Sequence, residues 1–287
     1  MKKIVITLIL LIPFVVKADI DKIYIDSEVD ITGNLIVKEI IETSSKDDFT
    51  LEIPYKNENA KEYKGNDVIK DDSIIYNALR VQINKVGSLE ENYDINDLYN
   101  DSLDVKEYKD YKEEETKEYK KITFKNSSDK NIYYLEYIVL CISVKHKDSS
   151  ELYYSYFRNS NNAIKEAVIT TKMPYNSELF EVYAHGKRNI EVSKDLKDSI
   201  VVSKINNLKK KENFNIRILY DKDIFSLAIN DSKKSNIDAV DLIKSIEKDK
   251  QNKTNILNIY KYLSIPLIIV IVVVITVIRR KKKWKKH

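Results

Sequence analysis

Two apolar runs, one near each end and each flanked by basic residues, constrain this chain more than anything between them. The first, Ile4 to Val16, follows Met1-Lys2-Lys3 and leads into Val16-Lys17-Ala18, where Ala18 is a small residue suited to signal peptidase. As a helix it would rise only about 20 Å, short of the ~30 Å hydrocarbon core, so the pattern predicts a signal peptide over residues 1–18. The second run, Ile259 to Ile278, carries a single charge, Lys261, at its edge, and it predicts one transmembrane helix over 259–278. Its Val270–Val274 stretch is β-branched throughout, a poor helix former in water. Lipid forces each backbone group to pair within its own segment, which overrides that preference. Tyr260 and Tyr262 would mark one interface and Trp284 the other, with Arg279, Arg280, Lys281, Lys282 and Lys283 stopping transfer on the cytoplasmic side. The same tail could attract anionic lipid head groups. Topology is the weightier role, because such clusters routinely follow spans. The expected location is the plasma membrane, single-pass, with the N-terminal domain extracytoplasmic and the C-terminus cytoplasmic.

Charge follows this division. The chain has 49 Lys+Arg and 45 Asp+Glu, a net of +4. Three lysines lie in residues 1–18 and seven basic residues in 279–287; removing these ten leaves 39 basic groups against 45 acidic ones in between. The basic excess therefore belongs to the ends, and nothing in it points to nucleic acid. One cysteine, Cys141, excludes an internal disulfide framework and a cysteine-based zinc site. Four glycines and four prolines exclude collagen-like and Gly/Pro-rich disordered classes.

Between the apolar ends, apolar residues recur every second position. Ile23, Ile25, Val29 and Ile31 alternate with polar neighbours, Thr32-Gly33-Asn34 breaks the run, and Leu35 to Ile41 resumes it, which predicts a hairpin. Ile132 to Val144 reads as a long central strand buried on both sides. Further strands are expected at Ile122–Phe124, Ile164–Met173, Leu179–Ala184, Asn189–Ser193, Ser199–Lys204 and Phe214–Tyr220. Lys106 to Lys121 has locally cancelling charges and reads as a solvated hairpin tip or frayed strand pair, with a short helix around Glu113 and Lys117 as the alternative. Ile237, Val240, Ile243 and Ile246 recur every third residue and predict a juxtamembrane helix over 236–258. The expected fold class is all-β: an antiparallel β-sandwich ectodomain over 19–235, divided into lobes at about 19–175 and 176–235, with a juxtamembrane helix and one C-terminal transmembrane helix.

A series of short motifs falls in a recognisable order. Thr32-Gly33-Asn34-Leu35-Ile36-Val37-Lys38-Glu39 is followed by Ile53-Pro54, Tyr134-Leu135-Glu136-Tyr137 and Glu151-Leu152-Tyr153-Tyr154. Met173-Pro174, Tyr183-Ala184-His185-Gly186, Phe214-Asn215-Ile216-Arg217 and Ile224-Phe225 come next, and the membrane span closes the series. Over about residues 20–250 the chain resembles the extracytoplasmic region of the domain of unknown function 2207 family of bacterial membrane proteins. It departs from that family at Thr50-Leu51-Glu52, where an arginine is usual before Ile-Pro, and at Tyr154, often tryptophan. The resemblance implies export, membrane anchoring and a β-rich ectodomain; it implies no activity.

Catalytic templates fail. There is no His-Glu-x-x-His, no Gly-x-Ser-x-Gly and no phosphate-cradling Gly-rich loop, so an enzyme is not expected and neither is a cofactor or metal. His146 lies among Lys145, Lys147 and Asp148 and reads as solvated; Cys141 reads as buried in the central strand and inert. His185, beside Gly186, could orient a ligand, but bonding into a turn is favoured. The binding candidates are Tyr154, Tyr156, Arg158 and His185, since tyrosine and arginine make interface anchors. Alternation places Tyr154 and Tyr156 on one face, with Tyr153 and Phe157 elsewhere, and the favoured reading is that these rings fill the interior. The expected function is a cell-surface binding or structural module that touches the membrane bilayer and an envelope or protein partner. The alternatives are a surface hydrolase acting on envelope polymer or peptide, and a subunit of a membrane complex.

Overall fold

The hairpin forms where the alternation breaks. Strand β1 (Ile20–Val29) and β2 (Leu35–Thr43) pair antiparallel, with Ile25 opposite Glu39. Between them the Asp30 carboxylate accepts from the backbone N–H groups of Thr32 (2.8 Å) and Asn34 (3.0 Å), and Gly33 takes a φ of 81° that L-residues rarely adopt. The computed structural model describes residues 19–55, 78, 80–126, 131–186, 190–221 and 234–252. The signal segment 1–18, the apolar run 259–278, Tyr260, Tyr262, Trp284 and Arg279, Arg280, Lys281, Lys282 and Lys283 lie outside them. Among the described residues no helix is long and apolar enough to cross a membrane.

The remaining strands are β3 (Phe49–Pro54), β4 (Arg80–Ser88), β5 (Lys106–Glu107), β6 (Tyr111–Glu115), β7 (Tyr119–Phe124), β8 (Asn131–Leu140) and β9 (Val144–Lys145). They are followed by β10 (Ser150–Phe157), β11 (Ile164–Lys172), β12 (Phe180–Gly186), β13 (Ile190–Asp195), β14 (Ile200–Leu208) and β15 (Phe214–Tyr220). A one-turn helix, α1 (Ile95–Tyr99), starts at Asp94, whose side chain accepts from the Asn96 N–H at 2.9 Å. The chain is therefore mainly β, as the alternation predicts. The strands form an eight-stranded sheet in the order β13-β14-β11-β1-β2-β8-β4-β5, a four-stranded sheet β12-β15-β10-β9 and a three-stranded sheet β3-β7-β6.

Odd-numbered residues of β1, β2, β8, β11 and β14 face one continuous apolar core, which also takes in the inner faces of the two smaller sheets. Phe49 of β3 and Phe124 of β7 stack at 5.0 Å, and Phe124 meets Tyr133 of β8 at 4.8 Å, fastening the three-stranded sheet to the large one. The chain divides into two compact units after Ile237; the second contains a helix, α2, at residues 239–252.

The sequence expectations are corrected in three places. The large sheet is not purely antiparallel, because β1 and β11 run parallel. That pairing joins segments about 140 residues apart and has no local signature. The long strand expected at Ile132–Val144 ends at Leu140: Cys141 takes a φ of 51° and stands partly exposed in a turn. Asn34 Oδ1 accepts from the Cys141 N–H at 2.8 Å, and the chain passes over the hairpin tip into the smaller sheet. The division into lobes near residue 175 does not appear, since β14 pairs with β11 and β15 with β10. Lys106–Lys121, by contrast, forms β5, β6, a turn and the start of β7, the exposed strand pair its cancelling charges predict and not the alternative helix.

Candidate functional site

On the core face of the large sheet, one register row reads Ser203, Ile169, Ile25, Glu39, Leu135, Val86 across β14, β11, β1, β2, β8 and β4. Glu39 is the one ionisable group in that row, and it is only 6% exposed. Its position follows from the pattern, because it is in phase with Leu35, Val37 and Ile41 on β2. The Tyr137 hydroxyl, from β8, donates to Glu39 Oε1 at 2.7 Å. No cation of the described residues pairs with this carboxyl. Burial pushes its pKa up to about 7, and the Tyr137 hydrogen bond opposes that rise only in part.

Strand β10 supplies the other side. Its pairing with β15 shifts register between Ser155 and Phe157, so Tyr156 occupies a β-bulge. Leu152, Tyr154, Tyr156 and Phe157 all enter the core, and Phe157 departs from strict alternation because of that bulge. Tyr154 and Tyr156 meet edge to face at 4.9 Å. Burial raises the Tyr156 hydroxyl pKa to about 12, and it raises those of Tyr154 and Tyr137 further. The hydroxyl of Tyr154 lies beside that of Tyr137.

A chain of hydroxyls runs on from Tyr156. Ser27 donates to the Thr170 carbonyl at 2.8 Å, which leaves it to accept from Tyr156; Tyr156 then accepts from Thr171 at 2.9 Å. The network therefore links β1 and β11 of the large sheet to β10 of the smaller one. Beside it is a cavity of about 30 Å³, bordered by Glu39, Tyr137, Tyr156, Arg158, Asn162 and Glu52. A cavity of that size has room for a water. Arg158 sits 5.5 Å over the Tyr119 ring with Glu118 at 3.8 Å, and Asn162 donates to the Thr50 carbonyl at 2.7 Å.

Three of the four binding candidates from the sequence thus converge, but inside the fold. Tyr154 and Tyr156 are 1% and 6% exposed and offer no surface, because one face of a central strand must fill the core. Arg158 is likewise buried at the cavity rim. His185 lies elsewhere, on β12 opposite Asn215. Gly186 continues that strand in register with Phe214 and makes no turn, and a Cβ there would come within 2.9 Å of Ile190.

Sequence reasoning missed two groups. Glu39 was legible from its apolar phase and closes the first family-like motif. His146 is not solvated: it is 2% exposed, and its Nε2 lies 2.8 Å from Glu151 Oε2. Glu151 in turn meets Arg217 Nε at 2.9 Å, and the Arg217 guanidinium stands 4.7 Å over the Tyr153 ring. The pattern Lys145-His146-Lys147-Asp148 hid this, because the buried histidine is flanked in sequence by the half-buried Lys145 and the exposed Lys147 and Asp148.

Fold and site together define a β-sheet domain whose converging polar groups lie in its interior, next to space for a water molecule. Neither a family model nor any curated protein matches the chain. Among solved structures it is similar to a candidate protease from Parabacteroides distasonis, with TM-score 0.37 and 8% identity over 71% of this chain and 40% of that one. It is similar to the M1 zinc metallopeptidase of Deinococcus radiodurans at TM-score 0.33 and 5% identity, covering 69% of this chain and 41% of that one. An aminopeptidase N family protein from Idiomarina loihiensis gives TM-score 0.35 and 10% identity, covering 68% and 29%. The chain spans about two-fifths of these proteins' length or less. Likeness of this degree assigns it no activity.

Proposed function

We propose that this chain is a single-pass cell-surface protein whose exported β-sandwich domain, of the kind seen outside the membrane in the domain of unknown function 2207 family, is a binding or structural module. One observation carries the reading. The aromatic and polar side chains best suited to chemistry are built into the interior around Glu39, where about 30 Å³ admits a water but no polymer or peptide substrate. The work of such a domain is done by its surface, against an envelope component or a protein held near the bilayer. The apolar run 259–278 and the basic residues 279–287 support anchorage with the domain outside.

The sole cysteine supplies the test of topology. Cys141 stands partly exposed in a turn, so a membrane-impermeant maleimide should label it on intact cells. Labelling only after lysis would sink the exported placement. For the activity, crosslinking on intact cells should capture a partner through the domain. Hydrolysis of a wall-polymer or peptide library by the soluble domain, with nothing captured, would replace the binding reading by the hydrolase one.

A further inference from the structure

Glu39 is a buried carboxyl that the surface reading leaves unused. It stands on β2, between the large sheet and β10, with a water-sized cavity at its side and a tyrosine hydroxyl as its bonded partner. We propose that Glu39 is a proton switch on the packing of β10 against the large sheet: protonated, it closes that contact, and ionised, it draws water through the cavity and loosens it. The proposal concerns the interior and holds whichever partner the surface serves.

The groups around it fix the sign. From β8 comes Tyr137, a donor to either form of the carboxyl. From β10 come Tyr154 and Tyr156, both neutral across the physiological range because burial raises their pKa values. From β3 comes Glu52, ion-paired with Lys121, and beyond β10 Arg158, held by Glu118 and Tyr119. On β2 itself, Lys38 points to the opposite face and pairs with Asp101; on β1, Asp26 also points away and pairs with Lys172 at 3.0 Å. Each nearby ion is thus paired with a different group, and an ionised Glu39 has one hydrogen bond and whatever water the cavity admits.

The test is hydrogen exchange of the full chain at pH 5.5 and pH 8.5, corrected for intrinsic rates and followed in peptides from β2, β8 and β10. A carboxyl at about 7 when closed and about 4.5 when open predicts a loss of protection on the order of thirtyfold across that interval. In Glu39→Gln the loss should vanish. In Tyr137→Phe, which lacks the hydroxyl favouring the ionised form, the loss should continue to higher pH and become larger. Equal protection at both pH values in the unaltered chain would overturn the proposal, and so would a pH response in Glu39→Gln equal to that of the unaltered chain. If Glu39→Gln does not fold, a carbon-13 titration of the Glu39 carboxyl decides: a midpoint near 7 supports the switch, and one near 4.5 rejects it.

Discussion

Glu39 and Glu151 are buried on two different sheets, and the domain treats them in opposite ways. Glu151 on β10 lies between Arg217 and His146, with neither the glutamate nor the arginine more than 1% exposed. Glu39 on β2 has a tyrosine hydroxyl and a water-sized space. An arginine keeps its charge at any ordinary pH, so Glu151 has a permanent counter-charge at 2.9 Å. Glu39 has no such partner, and its lowest-energy state in the core is the neutral acid. The difference lies in the strand partners. Tyr153 is opposite Arg217 in the β10–β15 register, which places the arginine diagonal to Glu151, whereas Glu39 is flanked in register by Ile25 and Leu135.

The largest expected effect comes from breaking the compensated site. Arg217→Met should cost about 3–5 kcal/mol in urea denaturation, because it leaves the Glu151 charge buried beside apolar atoms. A loss under about 1 kcal/mol would mean that His146 alone compensates Glu151.

Glu39→Gln tests the uncompensated site, and its effect depends on pH. The folded pKa of about 7 lies above the unfolded value of 4.5, so the stabilisation is fully present below pH 4.5 and is lost as pH rises through 7. Above pH 8 the unaltered protein should therefore have lost up to about 3 kcal/mol through this group. Glu39→Gln keeps an oxygen to accept from Tyr137 and should remove that slope, making it the more stable form at pH 8.5. Parallel stability–pH curves for the two proteins would show that Glu39 is ionised and compensated in the fold. Tyr156→Phe should cost less, about 1 kcal/mol, since it removes one hydroxyl linking Ser27 to Thr171 and keeps the ring that packs on Tyr154.

How far these two sites could be read from sequence differs for a physical reason. Glu39 is in step with Leu35, Val37 and Ile41, so its core-facing position is a local property of one strand. What surrounds it is not local. The bulge that turns both Tyr156 and Phe157 inward depends on β15, about sixty residues further on, and the parallel β1–β11 pairing that brings Thr171 to Ser27 joins segments over a hundred residues apart. The His146–Glu151–Arg217 cluster has the same character. Its arginine comes from β15, and no spacing between residues 146 and 217 announces the contact. Tyr154 and Tyr156 show the limit from the other side: composition marked them for an interface, while the strand's central place in its sheet required them as core.

The smallest expected effect isolates burial as the cause of the contrast. Lys106 and Glu90 form an ion pair of the same chemistry as Arg217 and Glu151, but their side chains are 58% and 65% exposed. Water solvates both charges in the folded and unfolded chain, and salt screens what attraction remains. Lys106→Ala should therefore leave the urea midpoint unchanged within error at 0.15 M salt, although the two charged groups are in direct contact. A shift comparable to that of Arg217→Met would mean that proximity of opposite charges, not their removal from water, sets the energy of these pairs. Burial without a counter-charge would then no longer explain why the Glu39 carboxyl is held neutral.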